Sequence, residues 1–322
     1  MSNPILKLHD LDTHYFTEQG ILPAVDKVSL SLKKGETLGL VGESGCGKSA
    51  AALSVMRLIP ETQGSIAAGE IIFEGERLLA KTEKELCRIR GRRMAMIFQE
   101  PMTSLNPVFT IGNQLREGPM LHLGLSRTEA QERAVEMLRL VGIPAPEQRM
   151  KEYPHQLSGG MRQRVMIAMA LSCGPDLLIA DEPTTALDVT VQAQILDLLK
   201  KIKQERDMTM LIISHDLGVI SQIADRVAIM YAGQIVERAP TEELFYNAVH
   251  PYTKGLLASV PRIDSDSRQP LKPIPGNVPN LLDLPPGCRF SPRCPYVMEV
   301  CRKQIPALEP VSDHHHKRCF LK

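Results

Sequence analysis

Eight residues early in the chain have the composition and spacing of a loop that wraps around phosphate. They read Gly42, Glu43, Ser44, Gly45, Cys46, Gly47, Lys48 and Ser49, and they match G-x-x-x-x-G-K-[ST]. Glycine lets backbone N–H groups turn toward phosphate oxygens, and a helix starting at Lys48 adds the positive end of its dipole. The pattern predicts that Lys48 contacts the β- and γ-phosphates of a nucleoside triphosphate and that the Ser49 hydroxyl ligates Mg²⁺. Ala50, the next residue, belongs to the same predicted site.

Two adjacent carboxylates follow a second apolar run. Asp181 and Glu182 come directly after Leu177–Ala180, which has the composition of a buried strand. Asp181 suits a carboxylate bound to Mg²⁺ through water, and Glu182 could polarise an attacking water molecule. Because strands often end in acidic residues, this pair is a weak signal on its own. Together with a phosphate-binding loop it predicts hydrolysis of the bound nucleotide.

A third phosphate-binding pattern lies between these two. Ser158, Gly159 and Gly160 open the helical run 162–171, so backbone N–H groups and a hydroxyl stand at a helix N-terminus. A Ser-Gly-Gly tripeptide alone is usually an ordinary loop. In this order and spacing, the three patterns resemble those of ATP-binding cassette (ABC) ATPases. The resemblance covers residues 5 to about 245 and implies that the nucleotide is ATP.

The resemblance adds further residues to the ATP site. Gln99 is similar to the glutamine that senses Mg²⁺ and the γ-phosphate and that contacts the membrane partner. Residues 186–188, which end in Asp188, resemble the D-loop, and His215 resembles the switch histidine that holds the γ-phosphate. In this family two cassettes face head to tail, so each ATP lies between one phosphate loop and the partner's Ser-Gly-Gly segment.

Three positions within the resemblance leave alternatives open. Tyr15 matches the aromatic position that stacks on adenine, with Phe16 as the neighbouring alternative. Met161 stands where the family usually has glutamine, although the serine and glycines that touch phosphate are intact. At the position of Cys46, members of the family bind phosphate through the backbone alone. Its thiolate would be favoured by Lys48 and the helix N-terminus and would react with alkylating agents, or the residue is an inert small filler.

Alternating strand and helix patterns place these residues at one edge of a sheet. Buried strands are predicted at three apolar runs and helices at two longer patterns, namely Thr37–Val41, Leu177–Ala180 and Met210–Ile213, then 127–141 and 191–204. The alternation predicts an α/β domain with a largely parallel sheet, whose ligands lie beyond the carboxyl ends of the strands. The resemblance implies a P-loop NTPase cassette with a RecA-like core and a helical subdomain at about 101–172.

Whole-chain composition excludes several classes of protein. With 43% apolar residues among 322, the chain can form a core, and its formal net charge of +1 provides no basic surface for nucleic acid. No apolar run approaches the roughly 20 residues of a membrane span, and the N-terminus lacks a secretory pattern. We therefore expect a soluble intracellular protein. A soluble ABC protein acting on ribosomes or DNA is the rival interpretation, but such proteins usually carry two cassettes or a long coiled-coil insertion.

Four longer segments resemble one branch of the family, the D-type ATPases of dipeptide/oligopeptide importers. They are Glu100–Pro107, Tyr153–Gln156, Met161–Met169 and His250–Thr253. The resemblance implies an enzyme that converts ATP and water into ADP and phosphate and so energises peptide import at the cytoplasmic face of the inner membrane. The implied partners are an F-type ATPase in a heterodimer, two membrane permeases and an extracytoplasmic peptide-binding protein. Nickel importers share much of this pattern, so nickel is the alternative cargo.

The last part of the chain differs in composition from the rest. Of 24 prolines, 11 lie between Pro261 and Pro310, which argues against helices and inner strands there. We predict an ATPase domain over residues 1–250 and a small Pro/Cys-rich C-terminal extension over residues 251–322, called the tail below.

Four of the seven cysteines lie in the tail, at Cys288, Cys294, Cys301 and Cys319. Disulfides are not expected in a reducing compartment. The wide spacing lacks the close pairs of most zinc sites, whereas iron–sulfur clusters accept it. Spacing alone leaves a [4Fe–4S] cluster, Zn²⁺ and unliganded thiols open, and the importer resemblance favours the cluster. The nearby His314–His316 is expected to be a solvated loop, with metal ligation as the alternative.

Overall fold

The computed structural model describes residues 4–99, 104–185, 188–260 and 273–322, which form two compact units. Within these described ranges, the residues of the first unit fall in 33–36 and 80–212, and those of the second unit fall in 4–32, 37–79 and 213–322. Predictions that fall on residues 100–103, 186–187 and 261–272 lie outside the described residues. These are the start of the 100–107 segment, most of the D-loop and part of the proline-rich stretch.

Strands and helices alternate through most of the chain. The strands are β1 (Leu6–Thr17), β2 (Gly20–Leu32), β3 (Thr37–Val41), β4 (Gly64–Phe73), β5 (Glu76–Arg77), β6 (Met94–Ile97), β7 (Leu177–Asp181), β8 (Thr209–Ser214), β9 (Arg226–Tyr231), β10 (Gln234–Pro240), β11 (Glu309–Pro310) and β12 (His316–Lys317). The helices are α1 (Lys48–Met56), α2 (Glu83–Ile89), α3 (Ile111–Leu123), α4 (Arg127–Leu140), α5 (Pro146–Arg149), α6 (Gly159–Leu171), α7 (Val189–Arg206), α8 (Leu217–Ile223), α9 (Thr241–Asn247), α10 (Pro251–Ala258) and α11 (Glu299–Lys303).

In the second unit the 42–49 motif joins a buried strand to a helix. Every residue of β3 is buried, as expected for an apolar strand that is covered on both faces. β3 runs parallel to β9, with Leu40 opposite Ala228, and β9 continues antiparallel into β10. A separate antiparallel sheet has the strand order β2-β1-β4-β5. Because the 42–49 motif directly follows β3, it lies at the carboxyl end of this parallel strand.

In the first unit, β6 and β7 form a buried parallel pair with Met94 opposite Leu177. Helix α6 packs against β6, and α3 and α4 pack against each other and against α6. Local sequence fixes where α4 begins, because Ser126 and Glu129 form a capping box in which each side chain accepts a hydrogen bond from the other residue's N–H. This unit presents Asp181 at the carboxyl end of β7.

The predicted α/β class with parallel strands is confirmed by these pairings. β3 has the predicted bounds, β7 and β8 extend the predicted strands by one or two residues, and α4 and α7 occupy the two predicted helices. The domain bounds 1–250 and 251–322 and the helical subdomain at about 101–172 stay predictions.

The expected solvated loop at His314–His316 is wrong for its central residue. Only 1% of the His315 side chain is exposed, and its ring nitrogens lie 2.7 Å from Glu237 and 3.1 Å from Glu243. The side chain of Glu237 is fully buried and also accepts hydrogen bonds from the N–H groups of Val249 and His250. Strand β12 pairs with β10 beside this contact, so the tail is attached to the second unit's sheet here.

Candidate active site

The phosphate loop leaves β3 and enters α1 through backbone that only glycine fits. Gly47 caps α1 with φ of 105°, which is a left-handed conformation. A Cβ on Gly47 would lie 2.1 Å from the Ala24 carbonyl oxygen, and one on Gly42 would lie 2.2 Å from the Met230 carbonyl oxygen. Strands β2 and β9 therefore pack directly against the backbone of the loop.

Lys48 lies across the inside of the loop. Its side chain is buried, and its ammonium donates hydrogen bonds to the carbonyl oxygens of Gly42 at 2.8 Å and Glu43 at 3.0 Å. Ser44 is exposed and Ser49 is half-buried. A flexible cationic side chain held by two neutral carbonyls can exchange them for the oxygens of a phosphate.

The side chain of Cys46, within the loop, is packed beneath the loop backbone. None of its side chain is exposed, and burial raises the pKa of its thiol although the nearby Lys48 charge acts in the opposite direction. Its carbonyl oxygen accepts a hydrogen bond from the Gly233 N–H at 2.9 Å. Of the two alternatives left open by the sequence, the burial of the thiol argues against the reactive thiolate and fits the inert small filler. Ala50 is likewise buried in α1.

The candidates for adenine and γ-phosphate contact also lie in the second unit. Tyr15 and Phe16 are neighbours near the end of β1. Tyr15 is half-buried, and burial raises the pKa of its hydroxyl, whereas Phe16 is 47% exposed. His215 is exposed directly after β8, and the next residue, Asp216, caps α8 by accepting a hydrogen bond from the Gly218 N–H at 2.7 Å. The roles of these side chains toward ATP stay predictions.

The structure brings two predicted residues together in the first unit. Gln99 Nε2 donates a hydrogen bond to Glu182 Oε2 at 3.3 Å, and Thr185 Oγ1 donates to the same oxygen at 2.8 Å. Glu182 has φ of 47°, a strained conformation for a residue with a side chain and one that is common at functional sites. Asp181 is 4% exposed at the end of β7. Two carboxylates in such different surroundings can serve different roles, one toward a cation and one toward a proton.

The Ser-Gly-Gly segment forms the start of α6. The Ser158 hydroxyl accepts a hydrogen bond from the Met161 N–H at 3.3 Å, so Met161 contributes its backbone and the loss of the usual glutamine leaves this cap intact. Ser158 and Gly159 are exposed at a helix N-terminus, which favours anions. Gly160 has little room for a side chain, since a Cβ there would lie 3.0 Å from Val191 Cγ1.

Asp188, the predicted D-loop acid, is the N-cap of α7. Its carboxylate accepts a hydrogen bond from the Val191 N–H at 2.9 Å, and the residue is exposed. The other two predicted D-loop residues, Ala186 and Leu187, lie outside the described residues. Asp188 thus has a local structural role in addition to the predicted one.

The four tail cysteines are free thiols in one neighbourhood. Cys288 N–H donates to the Cys301 carbonyl oxygen at 2.8 Å. Burial, followed by the charges of Cys301, Cys319 and Cys294, raises the pKa of Cys288 to about 11. Within the described ranges, however, no three His, Cys, Asp or Glu side chains are arranged closely enough to hold a metal ion.

Two contacts to the phosphate loop come from tail residues that no sequence pattern indicated. The Arg293 guanidinium binds the Glu43 carboxylate, and the Tyr252 hydroxyl accepts a hydrogen bond from the Glu43 N–H. Glu43 and Lys48 are the two charged residues of the loop, and nothing in the neighbouring sequence indicated a partner for Glu43.

Comparison with known proteins identifies the fold and the family. Residues 25–185 match the family model described as ABC transporter. The chain belongs to the ABC transporter ATPase family. Residues 236–301 match a second model, described as oligopeptide/dipeptide transporter, C-terminal region.

Full-length relatives of this ABC ATPase are similar along nearly the whole chain. The oligopeptide transport ATP-binding protein AppD of Bacillus subtilis is 53% identical over 317 residues, covering 98% of this chain and 96% of AppD. The dipeptide transport ATP-binding protein DppD of the same organism is 50% identical, covering 98% of this chain and 94% of DppD.

A solved structure confirms the cassette fold. The ATP-binding cassette MJ0796, in a dimeric post-hydrolysis state bound to ADP and Pi, superposes with a TM-score of 0.66 at 28% identity. The superposition covers 73% of this chain and 98% of the MJ0796 chain. Like other members, this ABC ATPase hydrolyses ATP. Among the described residues, no helix is both long enough and apolar enough to cross a membrane.

Replacing Gly47 with alanine is expected to weaken binding of Mg-ATP by about tenfold or more, because the new Cβ meets the Ala24 carbonyl and the backbone is left-handed. Equilibrium dialysis with radiolabelled ATP measures this. Gly75→Ala is the matched control, since Gly75 has φ of 80° and nothing within 4 Å of its Cβ position. Equal affinity in the two variants would contradict the tight packing of the loop.

Proposed function

We propose that this chain is the ATP-hydrolysing subunit that energises import of di- and oligopeptides through separate membrane permeases. The observation that carries the proposal is the joint match of an ABC transporter model and an oligopeptide/dipeptide transporter C-terminal model to one chain. The names of the relatives along the full length support peptide as the cargo. We place the protein at the cytoplasmic face of the inner membrane, held there by its permeases, which deliver peptide from an extracytoplasmic binding protein.

The catalytic roles follow the chemistry of the side chains. Lys48 stabilises the charge of the β- and γ-phosphates. Glu182 takes a proton from the water that attacks the γ-phosphorus, while the bond to the bridging oxygen breaks and ADP leaves. The hydrogen bonds from Gln99 and Thr185 support this role because they fix the direction of the Glu182 carboxylate. His215 is assigned to the γ-phosphate.

Magnesium is expected with ATP in this family, and the predicted donors suit it. The assignments of Ser49, Asp181 and Gln99 as Mg²⁺ contacts rest on their hard oxygen atoms, which this cation prefers. The cation would neutralise charge on the β- and γ-phosphate oxygens.

We assign the Ser158–Gly160 segment to the ATP held by a second cassette. It is exposed at the start of α6, where a helix N-terminus attracts phosphate. One cassette alone then surrounds only part of the γ-phosphate, so ATP joins two cassettes and hydrolysis releases them. The partner cassette is proposed to be an F-type ATPase, giving a heterodimer.

The variant Glu182→Gln is expected to trap an ATP-bound dimer, since glutamine keeps the shape of the side chain but cannot accept the proton. ATP should bind with near-normal affinity while turnover falls by about a hundredfold or more. Size-exclusion chromatography with the F-type partner and ATP detects the trapped dimer, and a phosphate-release assay measures turnover. The matched control is Glu136→Gln, an exposed glutamate on α4. Full turnover by Glu182→Gln would remove Glu182 as the general base.

An apolar groove on the helical part of the first unit is proposed to receive a permease. It has a volume of about 680 Å³ and lies along α3 and the start of α4, lined by Phe109, Asn113, Gln114, Arg116, Glu117, Met120, Leu121 and Arg127. Phe109, Met120 and Leu121 are 51%, 43% and 73% exposed. Such a patch of large apolar side chains is typical of a protein interface, and an apolar groove of this kind can receive the apolar face of an amphipathic helix.

The variant Leu121→Asp is expected to lower co-purification of the permeases by about tenfold, because it places a charge in the apolar groove. Tagged full-length chain is isolated from mildly solubilised membranes, and its companions are identified by mass spectrometry. Tyr246→Asp, which alters an 81% exposed ring on α9, is the matched control. Retention of the permeases by Leu121→Asp would contradict the docking site. Recovery of ribosomes in place of permeases would contradict the transport function.

The tail cysteines are proposed to hold a [4Fe–4S] cluster. The kind and number of donors fit, since the group takes four thiolates, and the three neighbouring thiols already influence the pKa of Cys288. The thiols are not arranged as a closed ligand set, so binding of a cluster requires them to move closer together. A bound cluster would cross-link a proline-rich segment that is too small to form its own core. Zn²⁺ is the alternative occupant.

Anaerobically purified protein is expected to be brown, with absorbance at about 400 nm from thiolate-bound iron–sulfur. Cys294→Ser should lose this absorbance together with bound iron, whereas Cys87→Ser, an exposed cysteine outside the tail, should keep both. Colourless protein with stoichiometric zinc would contradict the cluster.

A further inference from the structure

The side chain of a tail arginine, Arg293, binds the side chain of Glu43, the second residue of the phosphate loop. Arg293 Nη1 lies 2.7 Å from Glu43 Oε2 and Nη2 lies 3.1 Å from Glu43 Oε1, so the pair is bidentate. The side chain of Arg293 is 4% exposed and that of Glu43 is 30% exposed. Parallel hydrogen bonds of this kind fix orientation as well as distance.

Arg293 is itself fixed before it reaches the loop. Its Nε donates to the Pro275 carbonyl oxygen at 3.0 Å, and its guanidinium lies 5.8 Å from the centre of the Tyr231 ring. Tyr231 is fully buried at the end of β9. The guanidinium therefore has one well-defined position from which to hold Glu43.

The loop backbone has a second outside contact at the same residue. The Glu43 N–H donates to Tyr252 Oη at 3.1 Å. Tyr252 is fully buried in α10, with its ring centre 4.5 Å from that of Tyr231 and 5.4 Å from that of Phe290. Burial raises the pKa of this hydroxyl, so it stays neutral and keeps its hydrogen-bonding capacity.

Glu43 thus lies between the tail and the phosphate-binding lysine. Its carboxylate and N–H face tail residues, while its carbonyl oxygen accepts hydrogen bonds from Lys48 Nζ at 3.0 Å and from the Cys46 N–H at 3.3 Å. A change in how the tail holds Glu43 is transmitted to both of these groups.

We propose that Arg293 and Tyr252 are positioning residues of the nucleotide site, which keep the loop in its phosphate-binding shape by holding Glu43. The inference rests on the proposed role of residues 42–49 in ATP binding. The proposed role requires no direct contact between either residue and ATP. A loop that is already ordered loses less conformational entropy when ATP binds, so affinity is the property that these contacts raise.

The test uses the full-length chain and two measurements. One is the dissociation constant of Mg-ATP, and the other is the rate at which N-ethylmaleimide alkylates Cys46, read by peptide mass spectrometry. Because Cys46 is buried beneath the loop, its alkylation reports opening of the loop. We expect Arg293→Ala to raise the dissociation constant by about tenfold and to accelerate alkylation of Cys46.

Conservative variants test the geometry. Arg293→Lys should recover only part of the affinity, because an ammonium can pair with Glu43 but cannot form the fork. Tyr252→Phe, which removes only the hydroxyl, should raise the dissociation constant by about twofold to threefold.

Two controls separate the possible failures. Lys48→Ala should abolish ATP binding, and wild-type affinity in that variant would overturn the assignment of the loop itself. Arg318→Ala removes another tail anchor, to the carbonyl oxygens of Ile235 and Pro306, without touching the loop, and should leave ATP affinity within about twofold. The proposal is overturned if Arg318→Ala weakens ATP binding as much as Arg293→Ala, or if Arg293→Ala binds normally while Lys48→Ala does not.

Discussion

A loop that binds phosphate through its N–H groups must be held still while N–H groups remain available to the phosphate. Here the Cys46 N–H bonds inside the loop, to the Glu43 carbonyl oxygen. Further support comes from outside the loop. The carbonyl groups of Ala24 and Met230 pack against its two end glycines, and the N–H of Gly233 holds the carbonyl of Cys46. The absence of a side chain at these glycines therefore has two effects. It leaves room for phosphate on the inner side of the loop, and it lets the neighbouring strands pack against the outer side. The sheet strands β2 and β9 and the turn before β10 can be regarded as the frame of one short loop.

The tail belongs to that frame. Arg289 binds the Asp26 carboxylate and the carbonyl oxygen of Ala232, which immediately precedes the glycine that holds Cys46. Arg293 binds Glu43 in the loop itself. A segment 250 positions away in sequence thus reaches the nucleotide site by two routes, one through the turn and one through the loop. This arrangement explains why the tail and the loop belong to the same compact unit, and it gives the tail a physical means of acting on ATP affinity.

The parts of this arrangement that depend on neighbours in sequence could be predicted, and those that depend on tertiary packing could not. The 42–49 motif and the apolar strand before it are local patterns, so sequence placed both. For Cys46 the sequence left a reactive thiolate and an inert filler open, because its reactivity depends on burial by other segments, which outweighs the adjacent Lys48 charge. His315 was expected in solvent because a histidine triplet is polar, yet two glutamates from β10 and α9 enclose its ring. No sequence rule pairs Glu43 with Arg293, because neither residue is unusual in its own segment.

The composition of the tail accounts for its use of arginine. Proline has a carbonyl oxygen but no N–H, so a stretch with 11 prolines between residues 261 and 310 has more backbone acceptors than donors. Arginine supplies the missing donors. Arg293 donates to the Pro275 carbonyl, and Arg318 donates to those of Pro306 and Ile235. Lysine would be a poor substitute because its single ammonium cannot reach a carbonyl on one side and another acceptor on the opposite side with fixed geometry. The planar fork of Arg293 does both, so a side chain that binds a proline carbonyl of the tail also holds the phosphate loop.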